Sequence, residues 1–277
     1  MTSTHPRPQT RTEALTTGGA APDPHVQSRA PKPRFYVLSA GRTGTVFLET
    51  LIRRHFPDVT AEHEPSPSRY LMMLGNLRND WGMFGGLTRS FARKHQNAHH
   101  DGPGKYIEIN PFLCPVSDLL ETPERPLRIV HMVRAPGDWA QSMTTFKAST
   151  RYRHIIDYVP FAKPFPTPRP TGWSGLSPFE KSLHRWNWCN SRIAALACVA
   201  QSYTLVRSED VFGTDVALRD SAVQRIFETL QLDRPEALNA DEFQTRVNPA
   251  PAGADLRDAE AERAICGATA AGFGYDL

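Results

Sequence analysis

One stretch constrains this chain more than any other: an apolar run that stops at a glycine-bearing turn and resumes as a helix. Phe35-Tyr36-Val37-Leu38 is aromatic and aliphatic, with Pro33 just before it. Nothing in it is polar enough to face water, so it reads as a strand buried on both faces. The turn Ser39-Ala40-Gly41-Arg42-Thr43-Gly44-Thr45 follows. From Thr45 the period changes: Val46, Phe47, Leu48, Leu51 and Ile52 share one broad helical face, and Pro57 ends it. Strand, glycine turn and helix make the first half of a βαβ unit.

The same alternation runs through the rest of the chain. Short strands are expected at Val59–Glu62 and Lys105–Ile109, a strong one at Leu127–Val133, and a late one at Tyr203–Arg207. Helices are expected over 68–78, from Pro115 to Leu120, over Gly137–Phe146, over Pro178–Ala200, and near 216–231 and 254–268. Residues 79–104 carry Gly, His and Asn without a clear period and read as mixed loop and helix. Residues 149–177 hold five prolines and several aromatics, which suits either an ordered excursion or a lid over an acceptor. Strands alternating with helices imply the α/β class: a single domain with a central, mostly parallel sheet flanked by helices.

Composition narrows the partners. A net charge of +3 is too small for a general nucleic-acid binder. No apolar run is long enough to cross a membrane, so no integral membrane protein is expected. Cys114, Cys189, Cys198 and Cys266 are scattered with no C-x-x-C pair. That suggests neither zinc nor a disulfide framework and fits a reducing, cytoplasmic location. Residues 1–33 are rich in Pro, Thr, Arg and Ala and lack both hydrophobic period and the apolar core of a secretory signal. They are expected to be a disordered tail, with the folded domain over 34–277.

Two segments point to phosphate. In a strand-to-helix turn, backbone N–H groups are free and the helix N-terminus adds positive potential. Gly41 and Gly44 allow close backbone approach, Arg42 supplies a charged fork, and Thr43 and Thr45 supply hydroxyls. The turn is not a Walker A loop, because its glycines are three apart and no Lys follows the second. The second segment is Arg134-Ala135-Pro136-Gly137-Asp138-Trp139-Ala140-Gln141-Ser142. Arg134 ends a buried strand and Ser142 lies about two helical turns further on, so both can face one anion at the carboxyl edge of a sheet.

These residues resemble the two signatures of sulfotransferases that use 3′-phosphoadenosine 5′-phosphosulfate. Residues 42–46 read RTGTV, close to that family's pattern of a basic residue, a hydroxyl residue, glycine and two hydroxyl residues. Val46 stands where many members have the second hydroxyl. Residues 133–142 read VRAPGDWAQS and match V-R-x-P with a Ser eight residues after the Arg. The resemblance implies that Gly41, Arg42, Thr43, Gly44, Thr45 and Val46 cradle the phosphosulfate, and that Arg134 and Ser142 grip the 3′-phosphate. Val206-Arg207-Ser208-Glu209-Asp210 is similar to the family's R-Y-E-D segment, with Ser for Tyr, and Trp186 and Asn190 also fit. It further implies a P-loop-like sulfotransferase architecture and transfer of a sulfonate to a hydroxyl of a small-molecule or glycan acceptor, or of a lipid. The product would be adenosine 3′,5′-bisphosphate, and this chemistry requires no metal. A P-loop phosphotransferase and a non-catalytic nucleotide-binding relative are the alternatives.

Transfer to an alcohol needs a base. Glu64 is the expected base and His63 the second candidate, in Ala61-Glu62-His63-Glu64-Pro65. Arg42 is expected to stabilise the leaving phosphate. Strand alternation sends Glu62 and Glu64 to one side and His63 to the other. Glu108, in an apolar run, is either an acceptor-site group or half of a structural ion pair. His131 reads as a core histidine, Trp186 and Trp188 as core, and His99-His100 as part of a solvated loop.

Overall fold

The first strand, β1 (Arg34–Ser39), is buried at every residue. In the computed structural model, which describes residues 32–121, 125–145, 159, 162–233, 235, 238, 240–243 and 255–277, it is the middle of the sheet. The others are β2 (Val59–His63), β3 (Lys105–Ile109), β4 (Leu127–Val133) and β5 (Ser202–Arg207). They pair in the order β2-β3-β1-β4-β5, and every pairing is parallel. From β1 the chain runs out to the edge at β2, returns to β3 beside β1, and then crosses to β4 and β5 on the other side. That puts a crevice at the carboxyl end of β1.

Eight α-helices occur among the described residues: α1 (Thr45–His55), α2 (Ser68–Trp81), α3 (Gly85–His100), α4 (Pro136–Thr145), α5 (Pro178–Ala194), α6 (Ser208–Phe212), α7 (Val216–Thr229) and α8 (Ala259–Gly272). Side-chain alternation along β1 divides the interior. Tyr36 and Leu38 join one core with Trp139, Leu183 and Trp186, while Phe35 and Val37 join the other with Leu51, Ile52 and Phe227. A doubly buried strand needs this all-apolar pattern. The start of α5 is set locally: Pro178 opens it, and Ser177 and Glu180 form a reciprocal capping box.

Some expectations change. The stretch 79–104 is almost wholly helical, the end of α2 and all of α3, joined by a turn at Gly82 (φ 65°) and Phe84 (φ 65°). Glycine and histidine hid the period. His99 and His100 consequently lie on α3, with His100 buried, and not in a solvated loop. The expected helix at 115–120 is a 3₁₀ helix, Pro111–Leu119, and α5 gives way to a 3₁₀ turn at Ala195–Cys198.

The expected disordered tail, residues 1–33, lies outside the described residues apart from 32 and 33. Of the 149–177 excursion, 149–158, 160 and 161 also lie outside it. The later part is packed down: Phe165 and Trp173 are buried, Asn76 brackets Lys163 O and Phe165 N at 2.9 and 3.2 Å, and Trp188 Nε1 donates to Thr167 O at 3.2 Å. No helix among the described residues is long and apolar enough to cross a membrane.

Candidate functional site

The site is built where the parallel strands end. After β1 the chain takes left-handed backbone at Gly41 (φ 87°), Arg42 (φ 57°) and Gly44 (φ 93°) before entering α1. Turns of this kind ahead of a helix form concave anion-binding nests of backbone N–H groups. Gly44 is required twice over. Its φ is one that L side chains rarely adopt, and a Cβ there would overlap the ring of Phe212. Thr43 Oγ1 is buried with no hydrogen-bond partner among the described residues.

The second segment meets the first. Arg42 Nε donates to Ser142 Oγ at 3.3 Å, across a hundred residues of chain. Burial, and then the charge of Arg134, lower the pKa of Arg42 from its ordinary value. Arg134 itself makes no side-chain hydrogen bond or ion pair among the described residues, and it lies near enough to Arg42 for the two charges to repel. Like charges this close repel, and an anion bound between them relieves that repulsion.

Several contacts that the sequence reading missed hold the two segments in register. Trp139 Nε1 donates to Gly41 O at 2.6 Å, which ties α4 to the first turn. Ser208 Oγ lies 2.8 Å from Thr43 O and 2.9 Å from Val133 O, so one hydroxyl touches both segments. Glu209 Oε1 accepts from Ala135 N at 2.9 Å, and Glu262 Oε1 accepts from Gly137 N at 2.7 Å. Gly137 is needed for this approach, since a Cβ would displace the Glu262 carboxylate. Trp186 Nε1 donates to Arg134 O at 2.8 Å. Ser208 and Glu209 carried a legible signal, as members of the Val206–Asp210 segment, and Trp186 was named beside it. Glu262 carried none, because its partner lies 125 positions away.

Beneath Arg134 lies a buried strut. His131 Nε2 is 3.0 Å from Asn190 Oδ1, and His131 Nδ1 is 2.6 Å from the Tyr203 hydroxyl. Asn190 Nδ2 already donates to Trp186 O, so its oxygen must accept. That places the His131 proton on Nε2 and makes Nδ1 the acceptor from Tyr203. A neutral ring satisfies both nitrogens, and burial pushes the His131 pKa down to about 4. His131 is therefore the core histidine expected, and Trp186 is fully buried as a core residue.

At the end of β2 the side chains separate. His63 Nε2 lies 2.9 Å from Thr45 Oγ1, at the first residue of α1. Glu62 turns the other way, to the Tyr106 hydroxyl at 2.8 Å. Glu64 does not follow Glu62 as alternation predicted. Its φ is 51°, outside extended backbone, while its N–H continues the ladder to Ile109 O at 3.0 Å. Extended geometry ends at His63, and Glu64 sits half-buried on the turn into Pro65.

Glu108 belongs to a structural network. It is fully buried and meets His95 Nε2 at 2.9 Å, His100 Nε2 at 3.3 Å and Asn110 Nδ2 at 2.7 Å. Burial raises its pKa, but the hydrogen bonds from His100 and His95 outweigh that and carry it down to about 2.

Comparison with solved structures settles the architecture. The sulfotransferase domain of the Synechococcus PCC 7002 olefin synthase overlays 90% of this chain and 97% of its own length, with a TM-score of 0.52 at 15% identity. The chain has the sulfotransferase fold. The sulfotransferase domain from the curacin biosynthetic pathway overlays 84% of this chain and 83% of its own, at TM-score 0.45 and 12% identity. Mouse sulfotransferase SULT7A1 complexed with PAP overlays 86% of this chain and 65% of its own, at TM-score 0.36 and 14% identity. The fold assignment rests on the first of the three. No family model and no curated protein matches the sequence. Within the sulfotransferase fold, residues 39–45 and 134–142 form the rim at the carboxyl end of β1 and β4.

Proposed function

We propose that this chain is a sulfotransferase that moves a sulfonate from 3′-phosphoadenosine 5′-phosphosulfate to a hydroxyl of a carbohydrate, lipid or secondary metabolite. The observation that carries this reading is the meeting of Arg42, Arg134 and Ser142 beside a left-handed glycine turn. One phosphate needs only such a turn. A second cluster of cation and hydroxyl, about two helical turns along α4, suits a nucleotide bearing a second phosphate. The buried, unpartnered Thr43 hydroxyl also fits a phosphate guest at the first turn.

Glu64 accepts the acceptor's hydroxyl proton as the acceptor oxygen bonds to sulfur, and the bond from sulfur to the donor's phosphate oxygen breaks. Arg42 and the amides of the turn stabilise the charge left on that phosphate. His63 positions the Thr45 hydroxyl against the same phosphate and is the second candidate for the base. Positioning through a fixed hydrogen bond needs no reorganisation during transfer.

A thermal-shift series tests the reading. Adenosine 3′,5′-bisphosphate raises the melting temperature, ATP or AMP raise it little, and Arg134→Ala abolishes the effect. Stronger stabilisation by ATP with magnesium overturns the proposal in favour of a phosphotransferase.

A further inference from the structure

The turn joining α2 to α3 exposes an unusual set of side chains. Trp81 is 63% exposed, Met83 54%, Phe84 43% and Leu87 54%. Large apolar groups exposed together on one short turn mark an interaction surface. The apolar character continues back along α2. Tyr70, Met73, Leu77 and Trp81 are spaced by three, four and four residues and so share one helical face. Tyr70 is exposed, and Met73 and Leu77 are half-buried. The stripe begins six residues after Glu64 and runs on the order of 20 Å to the tip.

The charge around the tip has one sign. Residues 82–100 contain no Asp or Glu, while Arg89, Arg93 and Lys94 are exposed on α3. None of the three has an ion-pair partner among the described residues. The nearby acid, Asp80, is taken up by Arg169, and Arg78 by Asp118. An aromatic tip flanked by unpaired cations matches a peripheral membrane anchor. The apolar groups enter the headgroup boundary and the cations meet anionic lipid.

We propose that the α2–α3 hairpin docks this protein on the surface of an anionic lipid bilayer, with Trp81, Met83, Phe84 and Leu87 inserted and Arg89, Arg93 and Lys94 against the headgroups. The docking surface stands independently of the transfer chemistry. It buries only the tip, since no helix among the described residues is long and apolar enough to span.

The test uses the full chain with sedimentable vesicles of phosphatidylcholine alone and of phosphatidylcholine with about one third phosphatidylserine. The protein pellets with the second and not the first, and less so as salt rises. Trp81 is the one exposed tryptophan, the other four being buried or half-buried, so the emission shifts to the blue on binding. The triple reversal R89E/R93E/K94E lowers partitioning on the order of a hundredfold. Trp81→Ser with Leu87→Ser abolishes the emission shift. Phe84→Gly, which suits the positive φ at that position, checks that tip variants keep the wild-type melting temperature. Absence of binding to the anionic vesicles overturns the proposal, as does binding that neither variant weakens. Concentration-dependent self-association that Trp81→Ser with Leu87→Ser removes, without vesicle binding, assigns the tip to a second copy of the chain and likewise overturns it.

Discussion

Acid should loosen this protein from beneath its candidate nucleotide site, and His131 sets where that begins. The ring is neutral in the fold, with Nε2–H donating to Asn190 and Nδ1 accepting from Tyr203. A second proton on Nδ1 takes away the acceptor of the Tyr203 O–H and charges a group with no exposure. The folded pKa is about 4, against an ordinary value of 6.5. The unfolded chain therefore binds more protons in between, and stability present above pH 6.5 is lost as pH falls toward 4. A shift of this size is worth about 3 kcal/mol. His100, also pushed down by burial, adds to the loss as pH falls below its ordinary value. Glu108, with a folded pKa of about 2, adds a second loss as pH falls from the ordinary carboxylate range toward 2. Urea unfolding midpoints measured from pH 8 to 3 read out the effect. His131→Gln keeps a donor and an acceptor but cannot titrate, so its midpoint falls less steeply between pH 6.5 and 4. Equal slopes in the two proteins, or an imidazole proton resonance titrating near its ordinary value, refute the reasoning.

Three further outcomes concern the site and the buried network beside it. Gly44→Ala combines backbone strain of about 1–2 kcal/mol with overpacking against Phe212 of about 1–3 kcal/mol; Phe212→Ala relieves only the second part, which a double-mutant cycle in urea measures. Glu64→Gln lowers the transfer rate at least ~100-fold, as expected for loss of a general base, while the thermal shift with adenosine 3′,5′-bisphosphate is retained. Glu108→Ala strands His95 and His100 in the core and destabilises by about 3–5 kcal/mol, read from the shift in urea midpoint.

What could be read from the residues were the parts written locally. β1, the glycine turn and α1 are contiguous, and the apolar run 127–133 needs both faces covered wherever it lies. Arg134 and Ser142 are legible because their spacing is helical. The remainder depends on partners brought from afar. His100 looks solvated until Glu108 arrives from the neighbouring strand. Glu64 looks like the next residue of a strand until its positive φ breaks the alternation. Ser208 looks like a loss against the tyrosine of the signature it resembles, yet its small hydroxyl reaches two carbonyls that only meet when β1, β4 and β5 pair. Trp139 could be read as core, but not as the donor to Gly41 O.

The cap on α4 bears on how the chain is made. Gly137 is synthesised near the middle of the sequence, and the carboxylate that satisfies its N–H belongs to Glu262. A ribosome-bound chain can have all five strands outside the exit tunnel while the first turn of α4 still lacks that partner. Nucleotide capture should accordingly arise late in synthesis, after the sheet has closed. Proteolytic clipping ahead of α8 should leave a folded sheet with weakened grip at Arg134 and Ser142. Helix α8 is in this sense a latch, engaged only after the sheet it secures has been made.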